Sequence, residues 1–158
     1  MEKIDWKNLS YDDFTGFVAV TAFLLFVLYF GGLWYATYDY RIQMRDQMVE
    51  MYKQLPNPIP PIEDDYGVHQ RWLVFYIDGV KVLNKPQPEN VINEYKKALE
   101  KEGWATEREY EHVRNDKNKI YGINMRKGEF VFSVSARENR DSINIHLIKR
   151  DWIYHMGL

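Results

Sequence analysis

The chain divides into a single apolar helix and a small α+β domain, in the order β-β-α-β-β-β-β. Three observations predict this. Phe14 to Tyr38 contains no Asp, Glu, Lys or Arg. Residues 88–102 carry apolar side chains at helical spacing, closed by Gly103. Beyond Trp104 the apolar period shortens from 3.6 to 2, the mark of strands with one buried face.

The segments follow in chain order: an N-terminal tail over 1–13, a transmembrane helix over 14–39, a helical stalk over 40–55, a Pro-rich linker over 56–67 and the α+β domain over 68–158. As a helix, the uncharged run rises roughly 37 Å, more than the ~30 Å hydrocarbon layer of a bilayer. A cleavable signal needs a basic start and a small-x-small exit. Here MEKIDWKNLSYDD precedes the run and no A-x-A site follows it. The run is therefore read as a retained anchor. Trp6 and Tyr11 flank one end, Trp34, Tyr35, Tyr38 and Tyr40 the other, as amphipathic rings do at membrane interfaces. Gly32 and Ala36 are four apart, which lets a second helix approach closely. With Trp34 and Tyr35 they form the expected partner-contact face. Lys3, Lys7 and the α-amino group balance Arg41, Arg45 and Lys53 across the run, so the positive-inside rule gives a tie. The expected arrangement is single-pass in the inner (cytoplasmic) membrane, with the C-terminal domain extracytoplasmic.

In the stalk, Met44, Met48, Met51 and Leu55 recur at 4, 3, 4, an apolar seam with flexible side chains. It is expected either to self-associate or dock on a partner helix, or to rest on the chain's own domain or on the lipid surface. Four prolines between Pro56 and Pro61 then stop the helix and favour an extended spacer of roughly 18 Å.

In the domain, RWLVFYIDGVKVL reads as two strands around an Asp78-Gly79 turn. The helix follows, with Pro88 at its start and Val91, Ile92, Tyr95, Ala98 and Leu99 on one face. Residues 104–113 alternate, with Trp104, Thr106, Arg108 and Tyr110 assigned to one side. Turns at 115–118, 127–128 and 137–141 separate three more strands. In the last two, Phe130, Phe132, Val134, Ile143, Ile145 and Leu147 point inward, and Ser133, Ser135, Asn144 and His146 outward. The expected sheet is an antiparallel meander with one helix across it. Trp152, Ile153 and Tyr154 are expected to cover its core.

Chemistry is sparse. The chain has no cysteine, which excludes disulfides, thiolate metal sites and cysteine nucleophiles. The four histidines show no H-x-x-x-H or H-E-x-x-H spacing; His112 and His146 become neighbours only if their strands pair. No G-x-S-x-G turn or phosphate-cradling glycine loop is present. A net charge of −2, with no concentrated basic stripe, argues against nucleic acid. The expected protein is thus not an enzyme and takes no metal or cofactor. Its expected partners are membrane lipid and other membrane-protein subunits or a second copy. It is read as an accessory or assembly subunit of a membrane complex. The alternative is a tethered binding module for a soluble peptide, glycan or small ligand, using Tyr110, His112 and Tyr121 on the exposed sheet face.

Overall fold

The computed structural model describes residues 11–113 and 118–155. The N-terminal tail up to residue 10 and most of the turn expected at 115–118 lie outside them. Two compact units emerge, Met1–Ile42 and Gln43–Leu158. The elements are α1 (Tyr11–Ala36), α2 (Tyr38–Gln54), β1 (Glu63–Arg71), β2 (Val74–Val82), α3 (Pro88–Lys101), β3 (Ala105–Val113), β4 (Lys119–Lys127), β5 (Phe130–Arg137), β6 (Ser142–Lys149) and α4 (Trp152–His155).

In the first unit, Phe14–Ala36 has a mean hydropathy of 2.2 and none of it is buried within the protein. It is the one helix among the described residues long and apolar enough to cross a membrane. Phe23, Leu25, Leu28 and Tyr29 are all exposed. A helix apolar on every side is the pattern of a membrane span or of a helix enclosed by other protein. The helix pauses at Thr37, whose hydroxyl donates to the Leu33 carbonyl at 2.9 Å and the Trp34 carbonyl at 3.3 Å.

The second unit is a mixed α+β domain. Its six strands pair antiparallel in the order β1-β2-β6-β5-β4-β3. β3 to β6 form the expected meander, and the β1–β2 hairpin joins its open side. α3 carries the chain from β2 to the far edge. Pro88 occupies its first turn, where no intrahelical donor is needed. Gly103 takes a φ of +82° beyond its end, and the Trp104 amide returns to the Leu99 carbonyl at 3.0 Å, closing the helix.

Register sorts the side chains. Ile77, Leu147, Phe132 and Met125 form one cross-strand row, and each is fully buried. Val91, Ile92, Tyr95 and Leu99 of α3 are buried against this face; the Tyr95 and Phe132 rings lie 6.4 Å apart. Each such side chain contributes about 1.5–3 kcal/mol through burial.

Several expectations need correction. Asp78-Gly79 is no turn: β2 runs straight through it. The turn is at Trp72, with a φ of +55°, and the first strand is the polar EDDYGVHQR. Gly79 serves a close approach instead. A Cβ there would lie 2.8 Å from the Tyr52 hydroxyl and 3.4 Å from the Asp65 carbonyl. The linker expected over 56–67 therefore ends by Glu63. It is no spacer: the Ile62 amide donates to the Val82 carbonyl at 2.8 Å, and Asn57 accepts from Lys81.

The stalk seam is also shifted. The buried stripe of α2 and its end is Met44, Met48, Tyr52 and Leu55, while Met51 is only half-buried. A 4, 4, 3 spacing with an aromatic member replaces the heptad. Tyr52 shows what covers it. Its hydroxyl donates to Asp64 at 3.0 Å and its ring meets Tyr66 at 4.6 Å. Met48 is fully enclosed, so this seam rests on the chain's own domain and offers no free contact.

Candidate interaction site on the open sheet face

The second face of the sheet bears a different population. Parity along each strand places Asp65, Gly67 and His69 of β1, Tyr76, Asp78 and Val80 of β2, and Asn144 and His146 of β6 together. One cross-strand row reads Gly67, Asp78, His146, Ser133, Asn124, Arg108.

Its most organised part is a ring cluster. His69 and Tyr76 are cross-strand partners, stacked at 5.2 Å with planes 19° apart. Tyr76 meets His146 at 5.6 Å. Asp78 lies between, with its carboxylate 2.7 Å from His146 Nδ1 and 3.9 Å from His69 Nε2. A carboxylate can only accept, so His146 Nδ1 is the donor in this contact. Gly67 makes the cluster possible: a Cβ there would lie 2.9 Å from His69 Nε2, so the missing side chain lets the imidazole fold back toward Asp78. Beside the rings is a hollow of about 330 Å³, lined by Asp65, Gly67, Asp78, Val80 and Asn144 among others. His69, Asp78 and His146 remain 40–53% exposed at their side chains. Among the described residues, no three His, Asp or Glu side chains are grouped to hold a metal ion.

The proposed ring platform of Tyr110, His112 and Tyr121 does not form. Tyr110 pairs with Gly122 and His112 with Ile120, whereas Tyr121 pairs with Glu111. Tyr121 therefore points to the helix-covered face. There it lines a cleft of about 260 Å³ with Glu89, Asn93, Glu109 and Glu111. Tyr110 lies across the bare backbone of Gly122, where any Cβ would collide with its ring. A register shift between Thr106 and Arg108 also puts Thr106 opposite the side of Arg108 and Tyr110. His112 and His146 are not neighbours, because β4 and β5 separate their strands.

A second polar cluster is buried on the helix side. Lys81, whose side chain is only 4% exposed, pairs with Asp64 at 3.0 Å and lies 5.6 Å from the Tyr52 ring. Burial, then the hydrogen bond to Asp64, pushes the Tyr52 phenol well above its usual range. Burial does the same to Tyr95, whose hydroxyl finds no partner. At the sheet edge, hydrogen bonds from Lys96 to Glu109 and from Lys119 to Glu111 raise the two ammonium groups.

Of the expected helix-contact residues, Gly32 has open space where a Cβ would stand and Tyr35 is 85% exposed. Trp34 is engaged within the chain, with the Arg41 guanidinium 3.4 Å from its ring centroid.

No protein-family model, curated protein or solved structure matches this chain.

Sequence reasoning missed the ring cluster because His69 was assigned next to a linker and Asp78 to a turn. The signal available was the alternation His69–Arg71 and Tyr76–Asp78 on either side of Trp72.

Proposed function

We propose that this protein is a single-pass, membrane-anchored accessory subunit, non-catalytic, whose open sheet face binds another subunit of a membrane complex. One observation carries the reading: the two faces of the sheet are unequally covered. Helices occupy one, while the other presents the His69–Tyr76–His146 rings around Asp78, beside a shallow hollow. Rings with a polar edge, set on a rigid sheet, give contact area at little entropic cost. α1 supplies an anchor of sufficient length and apolarity. The domain lying on the extracytoplasmic side belongs to the same proposal; protease protection of residues 43–158 in sealed cells reads it directly.

Gentle extraction of native membranes followed by native mass analysis tests the function. The wild type is expected in a discrete assembly heavier than the monomer, and Tyr76→Ala with His146→Ala is expected to release it. A wild-type monomer contradicts the proposal.

A second reading, a tethered module for a soluble peptide, glycan or small ligand, uses the same rings. The hollow beside Gly67 favours it. Retention of a soluble ligand by the full chain in nanodiscs, lost in Tyr76→Ala, would select it.

A further inference from the structure

We infer that the end of α1 carries a headgroup site for an amine-bearing zwitterionic phospholipid. This rests on α1 spanning a bilayer. A hollow of about 760 Å³ lies there, lined by Gly31, Trp34, Tyr35, Ala36, Tyr38, Asp39 and Arg41. Trp34, Tyr35 and Tyr38 mark the depth at which lipid headgroups sit.

Arg41 is only 8% exposed and half used. Its Nη2 donates to the Trp34 carbonyl at 2.8 Å, and its face stacks on the Trp34 ring. Its Nε is buried with no acceptor. A buried N–H without a partner is costly, and a guanidinium matches two phosphate oxygens at once. Nε itself is closed to a ligand, but Arg41 lines the hollow, where a phosphodiester would accept from the rest of the guanidinium. The Trp34 stack and carbonyl hold the guanidinium in place, so little freedom is lost on binding.

Asp39 sets the class of lipid. A purely anionic headgroup would place its charge beside this carboxylate. A phosphate followed two carbons later by a primary ammonium puts opposite charges against Arg41 and Asp39. Phosphatidylethanolamine has that order and donates N–H bonds; the quaternary ammonium of phosphatidylcholine cannot. At Gly31 a Cβ would meet nothing within 4 Å, which leaves room for the glycerol backbone along the helix.

The test uses the full chain in vesicles with equal parts phosphatidylethanolamine, phosphatidylcholine and phosphatidylglycerol, followed by native mass spectrometry of retained lipid. About fivefold enrichment of phosphatidylethanolamine over each of the others is expected, the scale of one charge-assisted contact. Arg41→Gln is expected to lose retained lipid. Asp39→Asn, which leaves Arg41 and the helix intact, is expected to keep phosphate binding and lose the preference over phosphatidylglycerol. Equal retention of the three lipids by the wild type, or an unchanged pattern in both variants, overturns the site. Alkaline carbonate extraction separates the two failures. Release of the wild type would overturn the bilayer reading, whereas a firmly integrated protein without lipid preference overturns the headgroup site alone.

Discussion

The two faces of the sheet are made by the same strands and differ in everything but backbone. Along β6, Ile143, Ile145 and Leu147 are buried beneath helices, while Asn144 and His146 between them stay accessible. The helix side is a packing solution, and its residues are replaceable only by others of similar volume. The open side is free of that constraint, yet it carries an ordered ring cluster. Stability should therefore reside on one face and recognition on the other.

The largest effect is expected where a charge is buried. Lys81→Ala leaves Asp64 without its cation and Asn57 without its donor, and should cost about 3 kcal/mol or more. Denaturant unfolding of the full chain in micelles, followed by tryptophan fluorescence, measures this. Next comes the direct contrast of neighbours on one strand. Ile145→Ala should cost about 2–4 kcal/mol through the cavity it leaves. Asn144→Ala, one residue away on the other face, should stay within about 0.5 kcal/mol. Equal costs would erase the distinction between the faces.

How much of this contrast was legible in the sequence depended on the element. α3 was plain, because Val91, Ile92, Tyr95 and Leu99 trace one helical stripe and Gly103 closes it. β5 and β6 were plain through strict alternation. β1 was hidden because an edge strand packs little, and EDDYGVHQR shows no apolar period. Gly79 misled because the same Asp-Gly pair that makes a turn also gives a strand room for the Tyr52 hydroxyl. Tyr121 was assigned to the wrong face because parity between β3 and β4 depends on strand register, which composition does not reveal. The ring cluster joins residues 69, 76, 78 and 146, a pairing set by the crossover through α3 rather than by any local motif.

A smaller effect belongs to the helix side and is read by pH. The folded state holds the Tyr52 and Tyr95 phenols above their unfolded values, near 10. Their contribution to stability is full below that pH and is lost as pH rises toward the folded values. Tyr52→Phe should flatten the alkaline decline in a pH series of unfolding midpoints. The smallest effect belongs to the exposed edge pairs: Lys96→Ala should leave the unfolding midpoint close to that of the wild type, because a solvent-screened pair contributes little.

The most direct measurement is site-specific photocrosslinking in native membranes. The probe replaces Val80 or Asn144 on the open face, or Lys97 on the outward side of α3. One discrete adduct is expected from Val80 and from Asn144, abolished by His146→Ala, and none from Lys97. Adducts of equal yield from all three positions, or from Lys97 alone, would contradict it.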